Sequence, residues 1–118
     1  MKKIWMLACV LGSTQAFAQK QIDIADISKH MGDSVKICAQ VFGGRFFEQS
    51  KNQQTLINVG AAFPNSPLTV VLPKALREKY ANPETNWKDK NVCFTGKLIE
   101  FKGKPEIIVY DENQIALP

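Results

Sequence analysis

The side chains best suited to chemistry in this chain are two cysteines and a histidine. Cys38 and Cys93 lie far apart in the sequence, and His30 is its single histidine. The two thiols lack the Cys-x-x-Cys spacing of a redox site, and a zinc site needs three or four such ligands. We therefore expect no metal site, no catalytic residue and no cofactor. We expect His30 to lie at the end of a helix, where it can donate to free carbonyl groups.

The N-terminus has the composition of an export signal. Residues 1–3 are a short basic start, residues 4–12 are an apolar run, and residues 16–18 read Ala-Phe-Ala. A basic start, a short apolar run and a small-x-small ending are the three parts of a secretory signal peptide. We therefore expect cleavage near Ala18, a periplasmic or secreted protein, and a single mature domain of residues 19–118.

Cys9 lies inside the apolar run, so a lipoprotein leader with a lipidated cysteine is an alternative. Its position within the run rather than after it favours a cleaved leader. In an exported domain, Cys38 and Cys93 predict a disulfide, which the loop-entropy model values at about 3–5 kcal/mol. Two unpaired thiols are the alternative. No later segment approaches the roughly 20 apolar residues of a membrane-spanning helix.

Charge alone identifies no partner. Lys2 and Lys3 are two of the 15 basic residues, so 13 basic residues accompany the 11 acidic ones in the mature domain. Such a near balance neither requires nor excludes a polyanionic ligand.

The hydrophobic pattern predicts a short N-terminal helix, five strands, and a second helix between the third and fourth strands. The first helix is indicated by the spacing of Ile24, Ile27 and Met31, and the second helix is expected over residues 74–80. The strands are expected over residues 34–47, 55–60, 68–72, 90–101 and 106–110. Gly43 and Gly44 predict a bulge or sharp bend in the first strand.

Alternation within the first and fourth strands supports the disulfide. Cys38 falls on the polar face of one strand, and Cys93 falls on the polar face of the other. If the two strands are neighbours, both sulfur atoms point the same way and a cross-strand bridge is reasonable.

The order strand, strand, strand, helix, strand, strand resembles the OB fold, a five-stranded Greek-key barrel in which the first and fourth strands are neighbours. Residues 27–38, 56–60 and 94–107 are similar to small exported bacterial OB-fold proteins and to nucleic-acid-binding, anticodon-binding-like OB domains. The resemblance implies a mainly β barrel with a short N-terminal helix.

The resemblance also implies a ligand groove on the outer face of the second and third strands, extended by the first strand and the loops. The candidate contact residues are Lys36, Gln40, Arg45, Phe46, Phe47, Lys51 and Phe63. Aromatic rings that stack on bases, beside cations that meet phosphates, suit single-stranded nucleic acid. Alternatively, Phe46 and Phe47 lie on opposite sides of the sheet, and one of them closes the end of the barrel.

Two other functions remain open. The same groove could bind a protein or glycan of the cell envelope. A nuclease is the third hypothesis, because staphylococcal nuclease resembles this barrel. That enzyme class needs paired carboxylates and arginines, and this chain has only Arg45 and Arg77, with Glu100, Glu106, Asp111 and Glu112 among lysines. We expect these acids to form a solvated rim, and we expect a non-catalytic binding module.

Overall fold

A computed structural model describes residues 20–118, and these form a mainly β protein with few helices. The expected leader, its cleavage site and Cys9 lie outside the described residues. The strands are β1 (Lys20–Ile22), β2 (Ser34–Phe46), β3 (Thr55–Val59), β4 (Leu68–Leu72), β5 (Asn91–Lys97), β6 (Ile99–Phe101), β7 (Lys104–Ile108) and β8 (Ile115–Ala116). The helices are α1 (Lys74–Tyr80) and α2 (Pro83–Asn86), and 3-10 helices cover Ile24–Lys29 and Glu112–Gln114.

The strands form one sheet in the order β6-β7-β4-β3-β2-β5-β8, and β1 pairs with β2 in parallel. The expectation of five strands in a closed barrel is therefore wrong as stated, because the described residues contain eight strands in an open hydrogen-bonded order. Two of the additional strands are the short edge strands β1 and β8. The third arises because the expected fourth strand is interrupted.

The interruption lies at Leu98, between β5 and β6. The Leu98 N–H donates to the carbonyl of Asp33 at 2.9 Å, and the Leu98 carbonyl accepts from the N–H of Gly32 at 2.8 Å. Both backbone groups are thus taken by the turn before β2, which removes them from the ladder with a neighbouring strand. The side chain of Leu98 remains fully buried in the core.

The glycine pair in β2 produces the expected irregularity. The pairing of β2 with β3 shifts between Val41 and Gly44. The first half of β2 pairs with β5, and the second half pairs with β3. A Cβ on Gly44 would lie 2.2 Å from the carbonyl oxygen of Leu56, so only glycine allows this close approach of the two strands.

The core follows the predicted alternation. Val35, Ile37 and Val41 of β2 are fully buried, as are Val92 and Phe94 of β5. They pack with the inward residues of β3, β4 and β7 in a single cluster. Trp87 is 3% exposed and packs edge-on against Tyr80.

The helices agree with expectation in part. Helix α1 covers the predicted residues 74–80 and buries Leu76 against the core. The N-terminal helix is a 3-10 helix that buries Ile27 but ends at Lys29, so Met31 lies beyond it and is exposed. Helix α2 was not predicted, and it has Pro83 in its first turn. Within residues 20–118 we find no helix with the length and hydropathy to span a bilayer.

Candidate functional site

The predicted disulfide is present. Cys38 and Cys93 are direct partners in the antiparallel pairing of β2 with β5, and their sulfur atoms are bonded. Both side chains are half-buried on the outer side of the sheet. The bridge joins two strands 55 residues apart in the sequence and holds the first half of β2 in place.

The outer face of β3, β4 and β7 carries an apolar surface. Leu56 of β3 lies opposite Arg45 of β2 on one side and opposite Val71 of β4 on the other. Val71 in turn lies opposite Ile108 of β7. Leu56, Val71 and Ile108 therefore form a row across three strands, on the side opposite the core. This row is the floor of a shallow groove.

Aromatic side chains surround this floor. Phe47 stands beside Leu56 at the end of β2, and Phe101 lies at the end of β6. Phe63 comes from the loop between β3 and β4, and Tyr110 follows β7. The exposed fractions are 76% for Phe63, 54% for Phe101 and 77% for Tyr110, which is unusual for such large rings. We call this surface the aromatic groove: it is formed by Phe47, Leu56, Phe63, Val71, Phe101, Ile108 and Tyr110.

The groove consists of three adjoining concavities of about 370, 350 and 350 Å³. The first and second share Phe47 and Leu56 as lining residues, and the second and third share Val71 and Ile108. The depression is thus continuous and elongated. A shape of this kind fits an extended chain better than a compact ligand.

Cations accompany the rings of the groove. The guanidinium of Arg45 lies 4.8 Å from the ring centre of Phe47, and the ammonium of Lys102 lies 5.4 Å from that of Phe101. Lys104 Nζ donates to the carbonyl of Pro64, the residue after Phe63, at 2.8 Å. Positive charge is therefore held beside two of the four rings, those of Phe47 and Phe101.

One acid lies in the middle of the groove. Glu106 of β7 is opposite Thr69 of β4 and opposite Ile99 of β6, and it lines the central concavity with Leu56 and Val71. Its side chain is half-buried, and burial raises the pKa of the Glu106 carboxyl above its ordinary value of 4.5. The expectation that Glu106 belongs to a solvated rim is therefore wrong.

The structure brings together three of the predicted contact residues. Arg45, Phe47 and Phe63 line the same concavity. Lys51 is exposed in the loop between Phe47 and β3.

Lys36, Gln40 and Phe46 lie elsewhere. Lys36 and Gln40 flank Cys38 in the half of β2 that pairs with β5, and the Gln40 amide donates to Asp89 at 3.5 Å. Their separation follows from the bulge, which turns the two halves of β2 toward different neighbours.

Phe46 points to the opposite side of the sheet from Phe47. Its ring is covered at 3.6 Å by the guanidinium of Arg77, which also forms an ion pair of 2.8 Å with Glu84. Arg77 and Glu84 are 17% and 15% exposed in their side chains. Phe46 thus packs beneath Arg77 of α1, on the side of the sheet away from the groove.

Several groove residues were not predicted. Leu56, Val71 and Ile108 lie in short apolar runs that predict strands but do not indicate which side of the sheet each residue faces. Thr55–Val59 and Leu68–Leu72 contain apolar residues on both faces, and this was the available signal for a second apolar surface. For Phe101 and Tyr110 the sequence indicated only their positions, one next to a hairpin and the other next to the C-terminal segment.

As expected, His30 lies at the end of the first 3-10 helix, but its ring has a different partner. Its Nδ1 lies 3.3 Å from the Asp33 carboxylate rather than bonding helix carbonyls. Among residues 20–118, no three His, Cys, Asp or Glu side chains are grouped closely enough to hold a metal ion.

Comparison with solved structures gives a match at the level of the fold. The crystal structure of a putative aspartyl-tRNA synthetase from Leishmania major Friedlin matches 93% of this chain with a TM-score of 0.53 and 11% sequence identity. This chain spans only 25% of the length of that protein. At this identity the likeness describes the fold alone. No protein-family model and no curated protein matches the chain.

Proposed function

We propose that this chain is an exported, non-catalytic binding module with an OB fold, and that its aromatic groove binds single-stranded nucleic acid. The observation that carries the proposal is the placement of a cation beside an aromatic ring at two points of one continuous groove, Arg45 at Phe47 and Lys102 at Phe101. Base stacking on aromatic rings contributes about 1–3 kcal/mol per base, and cations between the rings meet the phosphates.

The OB fold is supported by the strand order. Strands β2, β3 and β4 supply the first three barrel strands, and β7 pairs with β4 in parallel as the fifth strand does in that fold. Strands β5 and β6 together correspond to the fourth, since only Leu98 separates them, and they pair with β2 and β7 respectively. Apart from the edge strand β8, the hydrogen-bonded path thus runs from β6 to β5, two strands of one stretch of chain.

The position of the groove agrees with this fold. OB folds bind oligonucleotides and oligosaccharides on the face of the second and third strands, between the loops that follow the first and fourth strands. Here Phe47 begins the first of these loops, and Phe101 precedes the second, the Lys102-Gly103 turn. The structurally similar protein is by name a tRNA synthetase, which is consistent with a nucleic-acid ligand.

Export is supported by the disulfide. A cross-strand bridge between Cys38 and Cys93 persists in oxidising compartments and is rare in the reducing cytosol. The proposed leader of residues 1–18 would direct the chain to such a compartment.

A protein or glycan of the envelope is the second candidate for the groove. The floor of Leu56, Val71 and Ile108 is apolar, and the charge of the domain is nearly balanced. These two features suit an extended apolar or sugar chain. The salt dependence of the affinity distinguishes the two candidates, because phosphate contacts weaken steeply as the ionic strength rises whereas apolar contacts change little.

The test is fluorescence anisotropy with a labelled mixed-sequence DNA single strand of about ten nucleotides, a length within the range that one OB fold covers. Phe63→Ala and Tyr110→Ala remove exposed rings with little effect on the core. Each should weaken binding by about 1–2 kcal/mol, while Met31→Ala, an exposed apolar residue outside the groove, should have no effect. Absence of binding at low salt, or equal affinities of all three variants, would exclude the proposal.

A further inference from the structure

Glu106 is the only acidic residue that lines the central concavity of the aromatic groove among the described residues. The strand pairings place it between Thr69 on one side and Ile99 on the other. Leu56 and Val71 complete the apolar surroundings of the carboxylate, and the Phe101 ring lines the same concavity. A ligand that lies along the groove must therefore pass over Glu106.

The carboxylate has unused hydrogen-bonding capacity. The ion pairs and side-chain hydrogen bonds within residues 20–118 do not involve Glu106. An ionised carboxylate offers about four acceptor sites and no donor. Half-burial without a partner costs free energy, and burial accordingly raises the pKa of Glu106. A ligand that supplies N–H donors at this position would recover part of that cost.

A carboxylate is badly suited to the backbone of a nucleic acid. It repels phosphates, so at this point the strand must present bases rather than phosphates to the floor of the groove. The rings of Phe47 and Phe101 line the same concavity and can stack a base there. The base edge would then face an acceptor with two oxygen atoms.

We propose that Glu106 determines base specificity, and that the central concavity selects guanine. On its Watson–Crick edge guanine carries two adjacent donors, N1–H and the N2 amino group, which match the two carboxylate oxygens. Cytosine and adenine each offer one exocyclic amino group next to an acceptor. Thymine offers only N3–H between two carbonyl oxygens, which repel a carboxylate on both sides. We therefore expect the order guanine, then cytosine and adenine, then thymine.

The inference rests on the proposed function, and the experiment separates the two. The probes are labelled oligothymidines of about ten nucleotides that are all-thymine or have a single central guanine, cytosine or adenine. One guanine per strand avoids multistranded guanine structures. For the native protein we expect the guanine strand to bind roughly five- to tenfold more tightly than the all-thymine strand. This ratio lies near the lower limit of the discrimination that a bidentate hydrogen bond to a base provides, because the site is half-exposed.

Glu106→Gln replaces one acceptor oxygen by a donor and keeps the shape of the side chain. It should reduce the guanine preference to less than twofold, with equal or tighter binding of the all-thymine strand. Glu100→Gln is the matched control, since Glu100 is exposed on β6 and does not line the groove. It removes the same charge and should leave the guanine preference intact.

Each outcome decides one of the two proposals. If none of the four strands binds the native protein, the proposed function fails. If all four bind with similar affinity, or if Glu106→Gln retains the guanine preference, nucleic-acid binding stands and the role of Glu106 is overturned. If both glutamine variants lose the preference equally, general charge rather than the position of Glu106 is responsible, and the inference is again overturned.

Discussion

Cys38 on β2 and Cys93 on β5 lie directly opposite each other, and their disulfide closes a loop of more than half of the described chain. It stabilises the protein chiefly by limiting the unfolded ensemble, so its removal should cost about 4 kcal/mol. Urea unfolding, followed by far-ultraviolet circular dichroism with and without reductant, measures this loss. A double variant, Cys38→Ser with Cys93→Ser, should be as unstable as the reduced protein and should not respond to reductant. Equal midpoints of the native protein in both conditions would contradict the prediction.

Gly44 is expected to be the least replaceable glycine of the bulge in β2. Alanine there would place its Cβ 2.2 Å from the carbonyl oxygen of Leu56, so β2 and β3 would have to separate. We expect Gly44→Ala to destabilise the fold by roughly 1–3 kcal/mol. Gly103→Ala is the control, since its Cβ would meet no atom within 4 Å. Its only cost in stability is the backbone strain of a positive φ at alanine. Thermal unfolding of the two variants should show the larger loss for Gly44→Ala, and the reverse order would refute the close approach.

Particular residues show how far the sequence determines this fold. The polar-face positions of Cys38 and Cys93 supported the disulfide that the cysteines of an exported domain predicted, given that their strands are neighbours. The break at Leu98 was not predictable, because it depends on hydrogen bonds to Gly32 and Asp33 that form only once the turn before β2 packs against the sheet. Local alternation describes which side a residue faces, but it contains no information about such tertiary partners.

The candidate site illustrates the same limit. Arg45 and Phe47 were predicted as contacts, and the structure places both in the groove. Lys36 was grouped with them by strand membership, yet the bulge sends its half of β2 to a different neighbour. Leu56 and Val71 were missed because, in a short strand that is apolar on both faces, the sequence alone does not distinguish an outward leucine or valine from a core residue.

The pKa of Glu106 predicts a pH-dependent stability. Because burial raises the pKa in the folded state above the unfolded value of 4.5, the folded protein binds more protons between these two values. The free energy of unfolding therefore falls as the pH rises through this interval, and the ionised carboxylate remains destabilising at neutral pH. Glu106→Gln should raise the melting temperature at pH 7 and leave it nearly unchanged below pH 4.

The control for this titration is Glu100→Gln, which removes a carboxylate from an exposed position on β6. Its difference from the native protein should be similar at the two pH values. An increase in the melting temperature of Glu106→Gln that is equal at both pH values would show that packing, not ionisation, causes the effect.

The cations of the groove predict the salt dependence of binding. Each phosphate contact to a single strand contributes about 0.7 to the slope of log affinity against log salt concentration. Lys102→Ala and Arg45→Ala should each reduce the slope by about that amount, since both cations stand beside groove rings. Lys88→Ala should leave the slope unchanged, because Lys88 is exposed after α2 and does not line the groove. An equal reduction for all three would mean that net charge, not the groove, governs binding.

Phe46 and Phe47 are adjacent in the chain, but we expect substitution of Phe46 to lower stability and substitution of Phe47 to lower affinity. Phe46 is covered by the Arg77 guanidinium, so Phe46→Leu should lower the free energy of unfolding by roughly 1–2 kcal/mol. Because its ring points away from the groove, affinity for a single strand should stay within twofold of the native value. Phe47→Leu removes a stacking ring beside Leu56, so it should weaken binding by about 1 kcal/mol or more with a smaller effect on stability. Urea titrations and anisotropy on the same two preparations give both quantities. If Phe46→Leu weakens binding as much as Phe47→Leu does, the ligand must reach the helix side of the sheet, and the groove would not be the binding surface.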